Sequence, residues 1–232
     1  HDSRSWRYTV WLGLLGTMAY QLLFMHGMKW TAASDASLII PVNPVFTVLL
    51  AAPMLGQKVT KRMAFGLLLG IVGVGAVVGW SPNTDIPFEH RLLGDTMIVL
   101  AALAWATNSN LTKIALEEDG IGTTEELVIW YSIVGWIMLT PWMLAEIWGS
   151  GIPNPNTAEW SSIVYLGLFS TVLTYVWFAR GIDRIGPTAA ASYVFLVPIF
   201  GVLSGWALLD ESIGASMLVG FVLIVMGVRE VQ

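Results

Sequence analysis

The sequence predicts an all-α polytopic membrane protein: eight transmembrane helices, read as an N-terminally truncated form of a ten-helix, five-plus-five inverted-repeat fold. Three observations predict it: long apolar stretches without charge, a gap-free internal repeat, and basic residues gathered on one side. Hydrophobic residues make up 56% of the chain, charged residues 12%, and the mean hydropathy is +0.70. A soluble domain carries about 25% charged residues and shows polar helix faces that are missing here.

Residues 36–57, 63–84, 96–112, 127–145, 160–179, 185–209 and 212–228 contain no Asp, Glu, Lys or Arg. Each can supply the roughly 17–25 apolar residues that cross a bilayer. The stretch 8–28 is an eighth, interrupted only by His26. The expected spans are 8–28, 34–55, 62–80, 93–114, 125–147, 158–180, 187–208 and 214–231. The two longer connections are 81–92, with Pro82 and Pro87, and 148–159.

Residues 6–77 repeat at 160–231 in register, at an offset of 154. Trp6 meets Trp160, Thr17 meets Thr171, Phe24 meets Phe178, Gly27 meets Gly181 and Pro44 meets Pro198. Gly66 meets Gly220, and Gly73-Val74 meets Gly227-Val228. Shared Gly and Pro weigh more than shared Leu, because they mark backbone geometry. The first and sixth spans are five crossings apart, an odd number, so equivalent helices run in opposite directions. The halves are then related by a pseudo-two-fold axis in the membrane plane. The expected organisation is an incomplete first repeat at 1–80, a linker at 81–92 and a second repeat at 93–232. Two spans precede the repeated triplet in the second half. By symmetry two more, about 60–70 residues with connections, are expected ahead of residue 1. An apolar groove is expected where the counterparts of the fourth and fifth spans would lie.

With alternating spans, one side receives nine basic residues (Arg4, Arg7, Lys58, Lys61, Arg62, Lys113, Arg180, Arg184, Arg229) and the other two, Lys29 and Arg91. The positive-inside rule makes the first side cytoplasmic, both termini included, in the cell (inner or plasma) membrane. Trp30, Trp80, Trp148 and Trp160 gather at the outer interface. There is no cysteine, so disulfides and thiolate metal sites are excluded. His1, His26 and His90 form no metal spacing, and no histidine sits at depth to activate Ser204. The expectation is a non-enzyme without cofactor, metal or nucleic-acid partner.

Residues 165–228 carry Gly167, Ser170, Tyr175, Gly186, Pro198, Gly205, Glu211, Gly220 and Gly227, and Gly94-Asp95 is followed by the run AALAWA. In these marks the chain resembles an EamA-type permease of the drug/metabolite transporter superfamily, over nearly its whole length. The resemblance implies ten spans in two inverted five-span repeats, cytoplasmic termini and transport. Gln57, where the first repeat often carries Glu, and Val197, before Pro198, depart from the pattern.

The expected activity is transport of a small metabolite, an amino acid or amphipathic molecule moved by an exporter, through alternating access. The alternative is a non-transporting membrane scaffold or assembly subunit. A polar side chain at mid-membrane is costly unless it is paired or lines a cavity. Asn43, between Pro41 and Pro44, either satisfies a kink or faces the path. Trp105 and Asn108 share a helix face, and Thr174, Tyr175 and Tyr193 add hydroxyls. Gln21 is the repeat equivalent of Tyr175. The candidate path is therefore Asn43, Trp105, Asn108, Tyr175, Tyr193, Gln21 and Thr174, with helix kinks at Pro44 and Pro198. Hydroxyls of this kind also commonly bond their own helix. Asp35 and Ser34 read as an N-cap, and no carboxylate lies at mid-membrane. Gly66, Gly70, Gly73, Gly75 and Gly79 suggest close helix packing within the chain, with a homodimer contact as the alternative. Membrane lipid and a small-molecule substrate are the expected partners.

Overall fold

In lipid the backbone must satisfy its own polar groups, and for one apolar chain the helix does so. The computed structural model describes residues 3–56, 58, 60–80, 85–117 and 122–231. Among these the chain is helical, with no strand. Gln57 and positions 81–84 of the expected linker lie outside the described residues.

α1 covers 3–28, and its middle, Gly13–Ala19, is π-helical. α2 is Ala33–Leu55, interrupted by a 3₁₀ turn at Ile40–Val42. α3 is Lys61–Trp80. α4, Phe88–Glu117, starts five residues before the expected 93. α5, Thr124–Ser150, opens with a capping box between Thr123 and Glu126. A second capping box, Asn156 with Glu159, starts α6 at Thr157. Gly186 (φ 82°, ψ 162°), followed by Pro187, breaks the next helical run. α6 is therefore 157–185, with a π-helical Leu166–Leu173, and α7 is 187–209, with a 3₁₀ turn at Tyr193–Leu196. α8 is Ala215–Val231.

Among the described residues five helical runs are long and apolar enough to cross a membrane: Trp6–Met28, Ala33–Leu55, Phe88–Glu117, Thr124–Ser150 and Thr157–Ala191. Ala64–Val77, Phe200–Leu209 and Ala215–Gly227 are shorter apolar helices. The chain is thus an all-α polytopic membrane protein.

The irregularities recur at the sequence offset. The π-helical stretches, the two 3₁₀ turns and the helices Asn43–Leu55 and Val197–Leu209 that follow those turns stand about 154 residues apart. Each of those helices has its proline, Pro44 or Pro198, in its first turn, where a missing N–H is tolerated. A 3₁₀ turn therefore stands just before each proline-bearing helix.

α3 packs along α8. A β-carbon on Gly73 would lie 2.9 Å from Gly220 O, and one on Gly227 would lie 2.5 Å from Gly66 O. Glycine allows this approach, and the backbones gain dispersion contact that lipid cannot match. Gly75 and Gly79 have nothing within 4 Å, so they take no part in it.

The helix start at Ala33 departs from the N-cap reading of Ser34 and Asp35. Ala32 is the N-cap and offers no side-chain bond, and Asp35 lies fully buried inside the first turn. The orphan amides find their acceptor elsewhere: Glu211, in the turn between α7 and α8, accepts from Ala33 N and Ser34 N at 2.8 Å each.

Apolar clusters bracket the centre. Leu12, Leu127, Val128, Tyr131, Tyr175 and Ala179 join α1, α5 and α6 towards the end bearing Arg180. Ala36, Leu38, Ile39, Val77, Ile98 and Met217 join α2, α3, α4 and α8 at the other. Every residue from 157 to 170 is exposed. Of the repeat equivalents on α1, Gly13 meets Gly135 of α5 and Gly16 meets Asn108 of α4, whereas Trp6, Val10 and Trp11 are exposed.

Candidate functional site

A cavity of about 410 Å³ lies between α1, α2, α4, α6 and α7. Its walls are mainly aromatic and aliphatic. Tyr20 stacks on Phe24 at 5.6 Å between ring centroids. Trp105 projects from α4 between the two halves, 4.9 Å from Tyr20, 5.0 Å from Tyr175 and 5.5 Å from Phe178. Such clusters present flat apolar faces with polar tips.

The polar groups are neutral. Asn43, 2% exposed, donates Nδ2 to the Ala102 carbonyl at 2.9 Å, and Thr47 Oγ1 donates to Asn43 O at 3.0 Å. Tyr175 Oη donates to Gly16 O and accepts from Gln21 Nε2, both at 3.3 Å. Thr171 and Thr174 donate to the carbonyls of Leu166 and Phe169, five residues back, the spacing that a π-helix presents. Ser170 completes the polar lining, and none of the lining residues carries a charge. The cavity therefore suits an apolar body with a net-neutral polar group, because an unpaired charge placed here would lose its hydration without a counter-ion. A larger concavity of about 700 Å³ lies at 153–163, but one surface segment alone forms it.

Of the residues expected on the path, Gln21, Asn43, Trp105, Thr174 and Tyr175 line this cavity. Asn108 and Tyr193 do not. Asn108, one turn beyond Trp105, is 3% exposed and packs on α1, where a β-carbon on Gly16 would lie only 2.4 Å from its Oδ1. Tyr193 is 68% exposed. It opens the 3₁₀ turn, whose tighter winding of three residues per turn shifts side chains away from the α-helical phase assumed from sequence. Sequence reasoning missed Tyr20, Phe24 and Phe178 as lining residues. The Phe24–Phe178 repeat match was the available signal. Among the described residues no group of three His, Cys, Asp or Glu could hold a metal ion.

The Gly16–Asn108 contact gives a direct expectation. Gly16→Ala alone should destabilise the protein by about 1–3 kcal/mol through overpacking. Asn108 Oδ1 accepts no hydrogen bond among the described residues, so Asn108→Ala removes a buried unsatisfied acceptor. In that background Gly16→Ala should be nearly neutral. A double-mutant cycle on thermal unfolding in detergent checks this, and additive effects would refute the contact.

A helical membrane fold around a neutral, aromatic cavity fits a polytopic membrane transporter. The EamA-like transporter family profile matches residues 2–79 and 92–229, and the chain belongs to that family. It is 26% identical over 217 residues to the uncharacterized transporter YyaM of Bacillus subtilis, covering 94% of this chain and 70% of that protein. It is 26% identical to a probable terminal-alkyne amino-acid exporter of Streptantibioticus cattleyicolor (93% and 69% covered). It is 27% identical to a probable amino-acid metabolite efflux pump of Escherichia coli (84% and 66% covered). Across such relatives the chain spans 64–75% of their length. One crystal structure superposes with a TM-score of 0.63 at 18% identity, over 99% of this chain and 76% of that one, a likeness of fold.

Proposed function

We propose that this protein moves a small, net-neutral amphipathic metabolite of the amino-acid type, most simply outward, by alternating access between inverted repeats at 1–80 and 93–232 joined by the 81–92 linker. In this reading α1 to α8 all cross the cell membrane, with both termini cytoplasmic. The 35-residue run Thr157–Ala191 supports the count, since about 50 Å of helix exceeds one bilayer core of about 30 Å and Gly186 divides it. The reciprocal contacts Gly73–Gly220 and Gly66–Gly227 support inverted repeats, because they require antiparallel helices related by the sequence offset.

The observation that carries the proposal is the cavity itself. Both halves build it, and it holds neutral hydrogen-bonding groups among aromatic rings. A scaffold needs no such space. The amino-acid exporter and efflux pump among the relatives support the substrate class.

The test is uptake and efflux of radiolabelled amino acids of different size and charge in proteoliposomes. Asn43→Ala and Trp105→Ala should reduce transport by tenfold or more, a loss of about 1.4 kcal/mol, without preventing membrane insertion. Parental transport by both variants would refute the site.

A further inference from the structure

Two copies related by a two-fold axis touch through reciprocal contacts, and a residue touches its own equivalent only on the axis itself. Three places in this chain meet that condition at the same offset. Gln21 and Tyr175, 154 residues apart, are hydrogen-bonded to each other. The 3₁₀ turns Ile40–Val42 and Tyr193–Leu196 are in contact. In the α3–α8 pair, the Gly73–Gly220 and Gly66–Gly227 contacts are reciprocal, with their centre midway between them. A two-fold axis relating the halves would pass through all three, and at the first of them Gln21 and Tyr175 line the cavity. Asn43 and Val197, also 154 apart, directly follow the two touching 3₁₀ turns and both line the cavity.

On the proposed inverted-repeat mechanism, we infer that Gln21, Tyr175 and Asn43 are the specificity-determining contacts common to both access states. Exchanging the conformations of the two halves is equivalent to turning the molecule over about this axis. A side chain beside the axis moves only to its counterpart's place close by, so it faces the cavity whichever side is open. A side chain far from the axis is exchanged with its counterpart and faces an open cavity in one state only. Met25 and Leu166 lie on the cavity wall towards the Trp30 and Trp160 ends of α1 and α6, away from the axis. The axial groups are an amide, a phenol and a second amide, so both states offer the substrate the same uncharged hydrogen-bonding partners. Binding then differs little between states, as a carrier requires if the substrate is to leave from either side.

The chain has no cysteine, so single cysteines report without background. Gln21→Cys, Val197→Cys, Met25→Cys and Leu166→Cys are made one at a time in the full chain, with Lys61→Cys and Asn154→Cys as markers of the two membrane faces. A membrane-impermeant methanethiosulfonate is applied to right-side-out and to inside-out vesicles. Gln21→Cys and Val197→Cys should be modified from both faces, and Met25→Cys and Leu166→Cys should lose modification from the Lys61 face. If the outer pair is one-sided but both axial cysteines also react from one face only, the axial assignment is overturned while alternating access stands. If Met25→Cys and Leu166→Cys react from both faces, or no cavity cysteine reacts from either, the transport reading fails and the axial assignment with it.

Discussion

Gly94→Ala is expected to be among the most damaging single-methyl additions in this chain. Gly94 lies where α4 crosses the end of α1, and a β-carbon there would sit 2.8 Å from Gly27 O, 2.8 Å from Trp30 C and 2.9 Å from Thr31 N. All three are backbone atoms, so no side-chain rotation can relieve the clash, and the helices must separate. Overpacking costs about 1–3 kcal/mol, and more where the neighbours cannot move. The separation would also disturb Asp95, which is fully buried and accepts Thr31 Oγ1 at 2.5 Å. Gly75→Ala and Gly79→Ala, with open space around them, should stay within about 0.5 kcal/mol of the parent. Unfolding midpoints of the three variants in one detergent decide the matter. A Gly94→Ala midpoint equal to that of Gly75→Ala would mean that the crossing is looser than described.

Glu211→Ala should produce the second large effect. Two hydrogen bonds from the first amides of α2 to one carboxylate supply a cap that the helix's own sequence lacks. Hydrogen bonds to charged groups contribute about 1.5–3 kcal/mol each when buried, and partial exposure of Glu211 lowers the expected total to about 2–3 kcal/mol. The geometry is specific. Asp210 adopts a positive φ of 54°, and the carboxylate folds over Gly205, where a β-carbon would clash with it. Glu211→Gln should lose less, since one amide oxygen can still accept. Ala32→Ser places a hydroxyl at the N-cap and should restore about 1 kcal/mol in the Glu211→Ala background. No recovery on adding Ala32→Ser would argue that Glu211 acts on the α7–α8 turn rather than as the cap of α2.

Much of the fold was legible because it is written in features that survive without tertiary context. Charge-free stretches long enough for a bilayer mark the membrane class, since nothing else tolerates them. Gly and Pro recurring at one offset mark the repeat. That offset also carries the π-helical and 3₁₀ irregularities: the 3₁₀ turns lie just before Pro44 and Pro198, where kinks were expected, whereas no sequence signal named the π-helical stretches. Trp105, Asn43, Tyr175, Gln21 and Thr174 were found as cavity residues because polar or amphipathic groups at depth must face protein or water.

The orientation of each helix was a tertiary decision. In a soluble helix a polar face shows which way is out. Here lipid and core are equally apolar, so periodicity gives no phase. Asn108 shares a face with Trp105 by spacing, yet the close approach of Gly16 seals it against α1. Tyr193 was assigned from continuous α-helical winding, which the 3₁₀ turn breaks. The cap of α2 lies 177 residues away from Ser34, a partnership that no local signal encodes. Composition thus determined by itself that this is a polytopic membrane chain, and the recurring Gly and Pro are the ground for proposing that its helices are duplicated. Packing alone decided which side chains meet at the centre, because helices apolar on every face acquire an inside only from their neighbours.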